Sequence, residues 1–173
     1  MKHSIRLLFI LSLFAHCCYA QTRNTIREYR RDFDKIVTCL TLAQKDSITF
    51  IGKPVSEFVY FLNLHDVKIV QASVEFGSEL HPPQYATGVD FWFVSLQERT
   101  SLLRDHEICF PYVTLSIKEG KSYEKALKLG REFKSAFVKE IEEFYSDAVI
   151  SAIYIYIPDD LYLPHSSKHK SNR

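Results

Sequence analysis

The stretch from Lys121 to Ile157 constrains the fold of this chain more than any other. Its first part carries apolar residues at spacings of mostly three and four, which places them on one face of a helix. These residues are Tyr123, Ala126, Leu127, Gly130, Phe133, Phe137, Ile141, Phe144 and Ala148. Because the Ser122 hydroxyl is a suitable N-cap, we predict one long helix over residues 122–145, with close backbone packing at Gly130.

The second part of this stretch predicts a β-strand over residues 149–157. Its residues are β-branched, small or aromatic on both alternating sets, a pattern typical of a strand that is covered on both faces. We therefore expect a central position in a sheet. Pro158 ends the strand because proline has no N–H to donate to a neighbouring strand.

Three further strands precede the long helix. Alternation or short apolar runs predict them over residues 67–76, 88–96 and 108–117, and the charged stretch after the second contains at most a helical turn. Two amphipathic helices come before the strands, the second of them beginning near Pro54. The order predicts an α+β, two-layer sandwich with a mainly antiparallel four-stranded sheet, whose fourth strand lies beside the first or the third.

The N-terminus is typical of a cleaved export signal over residues 1–20. A short basic segment precedes the apolar run Leu7–Phe14, and small residues at Cys18 and Ala20 fit a cleavage site. The apolar run is shorter than the roughly 20 residues that span a bilayer, so we expect no membrane span after cleavage. Residues 21–163 are predicted to form one domain, and 164–173 a disordered basic tail, in a periplasmic or secreted protein.

Export changes the charge and cysteine counts. The signal carries Lys2 and Arg6 of the 22 basic residues, which leaves 20 against 21 acidic residues. A nearly neutral chain has no field to attract nucleic acid, so we expect no nucleic-acid partner. Cys39 and Cys109 remain. They either form a disulfide in the oxidising compartment or stay as two buried thiols.

Candidate catalytic chemistry is sparse. His106 lies between Asp105 and Glu107, and a carboxylate beside an imidazole is one element of a general base. Adjacent residues of an extended chain point in opposite directions, however, so a charged surface turn is the simpler interpretation. His81 lies in a proline-containing loop. No nucleophile, cofactor or metal motif occurs, so we predict no catalytic residue, no metal and no cofactor.

Aromatic residues supply the remaining functional hypothesis. If the helices cover one face of the sheet, Trp92, Tyr154 and Tyr156 form an aromatic surface on the other, which is typical of a contact with a partner. Alternatively, the N-terminal helices or the segment around Leu161 cover that face. We predict a non-enzymatic exported protein that binds a protein through a sheet face or edge, with a homodimer also possible. The alternative is a small-molecule binder or hydrolase with a helix–sheet pocket near His81 and His106.

Overall fold

The computed structural model describes residues 29–75, 84–106 and 108–159, and for Glu75, Asp105 and His106 it describes the backbone alone. The predicted signal, the predicted tail and His81 lie outside these residues. The chain divides into two units, Met1–Lys35 and Ile36–Arg173. In the first unit the described residues 29–35 are helical, with Tyr29 and Phe33 buried and their ring centroids 6.0 Å apart.

The predicted α+β class is confirmed. The described helices are α1 (29–45), α2 (Val55–Leu64), α3 (Leu96–His106), α4 (Tyr123–Glu132) and α5 (Lys139–Tyr145), with a 3-10 turn at Ser47–Phe50. The strands are β1 (Gln71–Glu75), β2 (Tyr85–Trp92), β3 (Tyr112–Ser122) and β4 (Ile150–Tyr156). Among these residues no helix is both long enough and apolar enough to cross a membrane.

The four strands form one antiparallel sheet in the order β1-β2-β3-β4. Each predicted strand corresponds to an observed one, and the fourth strand lies beside the third. The expectation of a central fourth strand is wrong, because β4 is at an edge of the sheet. Its second apolar set includes Tyr154, whose side chain is largely exposed, so it reflects an aromatic surface rather than burial on both faces.

The prediction of a single helix over residues 122–145 is also wrong, since α4 and α5 are separate helices. Lys134 and Ser135 between them have φ angles of 50° and 59°, in the left-handed region that ends a right-handed helix. The backbone of this connection pairs with β1 instead. The Ala72 N–H donates to the Ser135 carbonyl at 2.9 Å, and the Phe137 N–H donates to the Val70 carbonyl at 2.9 Å. These bonds replace the helical ones that the break removes.

A hydrophobic core covers the inner face of the sheet. Residues of α1 from Ile36 onward, α2 and α5 contribute to it together with inward-facing residues of all four strands. Its fully buried members include Leu40, Phe58, Phe91 and Leu115. The Phe50 ring packs edge-on against Phe58, with centroids 5.2 Å apart. Because these helices pack on the inner face, the residues of the opposite face are available to other contacts.

The third helix was predicted only as a turn. Its start is fixed by a capping box, in which the Ser95 hydroxyl accepts from the Glu98 N–H and the Glu98 carboxylate accepts from the Ser95 N–H. The helix carries few apolar residues, so its periodicity is weak in the sequence. Its position on the outer side of the sheet is decided by tertiary contacts with β1 and β2.

Candidate binding site on the outer face of the sheet

The strand register places one row of large side chains across the outer face of the sheet. Trp92 pairs with Gln71 on one side and with Tyr112 on the other, and Tyr112 pairs in turn with Tyr156. Directly paired residues of neighbouring antiparallel strands project from the same face, so these four side chains lie in a line. Tyr154 belongs to the adjacent row, which also points outward.

The rings of this row contact one another. Trp92 stacks on Tyr112 with centroids 4.7 Å apart and planes at 26°. From Tyr112 the centroid distances are 5.1 Å to Tyr156 and 6.2 Å to Tyr154. Tyr154 is 58% exposed and Tyr156 is 37% exposed. We call Trp92, Tyr112, Tyr154 and Tyr156 the aromatic face. The structure thus brings Trp92, Tyr154 and Tyr156 together on one surface.

Tyr112 is the member that our reading of the sequence missed. It lies at the centre of the aromatic face, in contact with each of the other three rings. The sequence nevertheless indicated its position. Thr114 and Ser116 are the polar, outward-facing residues of the strand, and alternation with a period of two places Tyr112 on the same face.

Helix α3 anchors to this face through Arg99. The guanidinium carbon lies 3.7 Å from the centre of the Trp92 ring, and Nη2 donates a hydrogen bond to Gln71 Oε1 at 3.1 Å. Within the described part of the chain, the buried Nε of Arg99 has no hydrogen-bond partner. Burial lowers the pKa of Arg99, and the negative charge of Asp90 acts in the opposite direction.

A polar network fixes the base of the aromatic face. Asp90 accepts hydrogen bonds from the hydroxyls of Thr114 at 2.7 Å and Ser73 at 3.3 Å. The indole N–H of Trp92 donates to the Ser73 hydroxyl at 3.3 Å. Because its N–H and one ring face are both engaged, the orientation of Trp92 is set before any ligand arrives.

A groove of about 500 Å³ lies between α3 and the aromatic face. Its walls are mainly apolar and include Leu96 and Leu103, both of which are large exposed side chains. Among the described residues that line the groove, the charged ones are Arg99 and Arg104, both basic. A volume of this size is within the usual range for ligand sites. The groove is thus suited to apolar groups together with an anion.

The side chains of the other two predicted site residues, His81 and His106, lie outside the part of the chain that the structure describes. His81 lies outside the described residues, and His106 is the last residue of α3, described in its backbone only. The residues that the structure describes contain no cluster of three or more histidine, cysteine or acidic residues suited to a metal ion. Among the side chains that the structure describes, no histidine lines the groove.

Cys39 and Cys109 are both buried thiols, and no disulfide joins them in the structure. Cys39 belongs to the hydrophobic core, whereas Cys109 lines the groove beneath α3. Burial raises the pKa of the Cys39 thiol to about 11. A thiol in this state is a poor nucleophile at neutral pH, because the thiolate is the reactive form.

Comparison of the chain with family models, curated proteins and solved structures found no match in any of the three.

Proposed function

We propose that this protein is an exported, non-enzymatic binding protein whose aromatic face and adjoining groove hold a segment of a partner protein. The observation that carries the proposal is the stacked row of Trp92, Tyr112 and Tyr156, which opens to solvent beside a groove of about 500 Å³. Tryptophan, tyrosine and arginine are the residues that most often dominate binding energy at protein interfaces.

The charges favour a partner segment that combines apolar or aromatic side chains with a carboxylate. Arg99 and Arg104 supply positive charge to the groove. A charge-assisted hydrogen bond between a guanidinium and a carboxylate is stronger than a neutral one. The aromatic rings provide rigid apolar area at a small entropic cost.

The test selects ligands from a random peptide library displayed on phage, using the immobilised full-length protein. We expect enriched peptides to contain aromatic and acidic residues. Trp92 is the only tryptophan of the chain, so its fluorescence reports peptide binding at this site directly. The affinity should fall by about tenfold or more in Tyr154→Ala and Tyr156→Ala, because both rings are partly exposed members of the face.

Tyr60→Ala is the matched control. Tyr60 is 64% exposed on α2, close to the 58% of Tyr154, but lies outside the aromatic face. Its removal should leave peptide affinity unchanged. Peptides that bind wild type and both face variants with equal affinity would overturn the proposal, as would a library that yields no specific peptide.

Two other occupants of the aromatic face would give distinct results in measurements on the same protein. If a second copy of the chain covers the face, the mass in solution doubles and Tyr154→Ala returns it to that of one chain. If residues 160–173 cover it, a variant that ends at Asp159 shows changed Trp92 fluorescence and tighter peptide binding. Either result would replace the partner segment as the occupant.

A further inference from the structure

A second cavity, of about 290 Å³, lies between α4, α5 and β1. It forms beside the break between the two helices, where the connection turns away to pair with β1. Most of its wall is apolar, and the lining residues include Leu127, Leu129 and Phe144. Ser73 also lines it, and the Ser73 hydroxyl accepts the hydrogen bond from the Trp92 indole. The cavity therefore adjoins the network that orients Trp92.

The lining of this cavity has a buried part and an exposed part. Ala126 and Ile141 are 2% and 3% exposed, so they belong to the interior. Arg131, in the last turn of α4, is exposed and therefore lies where the cavity opens to solvent. Among the described residues that line the cavity, Arg131 is the one that carries a charge. The described acidic residues of α4 and α5 do not line it.

No described residue neutralises the positive charge at this opening. Within the part of the chain that the structure describes, neither Arg131 nor Lys125 of the same helix forms a salt bridge. The Nζ of Lys125 lies 5.3 Å from the centre of the Phe144 ring, which is part of the cavity wall. Both cations would therefore attract an anionic group at the opening.

The interior, in contrast, disfavours an anion. Burial raises the pKa of Tyr145, a lining residue, and the negative charge of Asp90 raises it further. The same charge would oppose an anionic group placed beside Tyr145, and a charge in an apolar interior is costly. An apolar cavity of about 150 Å³ holds benzene, so a cavity of nearly twice that volume has room for about twelve carbon atoms.

We propose that the cavity between α4, α5 and β1 binds a small amphiphile, a carboxylate on an apolar chain of about ten to twelve carbon atoms. The chain fills the buried interior, and the carboxylate stays at the opening, where it accepts charge-assisted hydrogen bonds from the Arg131 guanidinium. This inference goes beyond the proposed function, and it does not require that the aromatic face binds a peptide.

The test compares decanoate with decan-1-ol, which has the same chain but no charge. Binding to the full-length protein is followed by changes in the amide signals of its NMR spectrum, with both probes present as single molecules in solution. We expect decanoate to shift the amides of residues 126–131 and to bind about fivefold more tightly than decan-1-ol. In Arg131→Gln this preference should disappear, while the affinity for decan-1-ol is unchanged.

Lys128→Gln is the matched control, because Lys128 is an exposed cation of the same helix that does not line the cavity. It should leave the preference for decanoate unchanged. An equal loss of the preference in this control would mean that general surface charge attracts the probe, which overturns the proposal. Equal affinities of wild type for the two probes, a preference that survives Arg131→Gln, or no binding of decanoate would overturn it as well.

The groove beside the aromatic face is the competing site for the same probe, because it also combines apolar walls with arginine. Arg104→Gln removes a cation from that groove and none from the cavity. We expect this variant to bind decanoate as the wild-type protein does. If decanoate instead shifts the amides of α3 and its affinity falls in Arg104→Gln, the groove is the binding site, and the proposed role of the cavity is wrong.

Discussion

The guanidinium of Arg99 stacks on the ring of Trp92, with its carbon 3.7 Å from the ring centre. The same guanidinium donates to Gln71, a buried polar residue of the edge strand β1. One side chain of α3 thus contacts two neighbouring strands, and these contacts hold the helix over the outer face of the sheet. Lysine cannot reproduce them, because its ammonium is neither planar nor forked.

We therefore expect Arg99→Lys to lower the free energy of unfolding by about 1 kcal/mol, the net effect of losing the stacking and of releasing a buried, unpaired Nε. Urea unfolding followed by Trp92 fluorescence measures both the stability and the solvent exposure of the ring. The emission should shift to the red as the ring loses its cover. Arg31→Lys is the control, since the Arg31 side chain is 80% exposed. An equal change in both variants would contradict the assigned role.

Gly130→Ala should stabilise the protein, contrary to the close packing that we expected at this glycine. A Cβ at Gly130 would meet only the Ser135 hydroxyl oxygen, at an ordinary contact distance of 3.7 Å. Alanine is favoured over glycine inside a helix by about 0.5–1 kcal/mol, so the free energy of unfolding should rise by that amount. Thermal and urea unfolding test this. A loss of stability would mean that the backbone at this position is not helical.

Gly120→Ala should have the opposite effect. A Cβ at Gly120 would lie 2.5 Å from the Cβ of Tyr85 and 3.2 Å from the Ala86 carbonyl oxygen. These atoms belong to the neighbouring strand near an irregularity in the β2–β3 pairing, so relief requires movement of β2. We expect a loss of about 1–3 kcal/mol in the same unfolding measurements. Unchanged stability would show that the strands separate more easily here than the structure implies.

Alkaline pH should destabilise the protein through Cys39. Burial raises the pKa of its thiol from 9.0 to about 11, so the unfolded chain loses this proton more readily than the folded one. The contribution of the protonated thiol to the free energy of unfolding is fully present below pH 9.0 and is lost as the pH rises towards 11. The total loss is about 2–3 kcal/mol. Across this pH interval the free energy of unfolding should fall less steeply in Cys39→Ala than in the wild-type protein. Cys109→Ala is the control: it retains the Cys39 thiol, so its free energy of unfolding should depend on pH as in the wild-type protein. The prediction is contradicted if Cys39→Ala leaves this pH dependence unchanged.

The class of fold was predictable because strand alternation and helical spacing are local properties of the sequence. Alternation also places Trp92 and Tyr154 on outward sets of their strands. It does not reveal which strands are neighbours, so the central position of Tyr112 becomes visible only with the register of the sheet.

The break between α4 and α5 was not predictable in this way. Apolar residues continue at helical spacing through the connection, and no proline marks it. The break depends on backbone bonds to β1, which is about 60 residues earlier in the chain. It also changes the phase of α5, which buries Tyr145 where the uninterrupted helix predicts Phe144.

The pairing of the α4–α5 connection with β1 has a consequence for self-association. An edge strand with available N–H and C=O groups is a template on which another chain can add a strand, the first step towards aggregates. Here Ser135 and Phe137 already occupy positions beside Ala72 and Val70. A strand added along β1 would first have to displace the α4–α5 connection. The break in the helix therefore also protects this edge of the sheet from polymerisation.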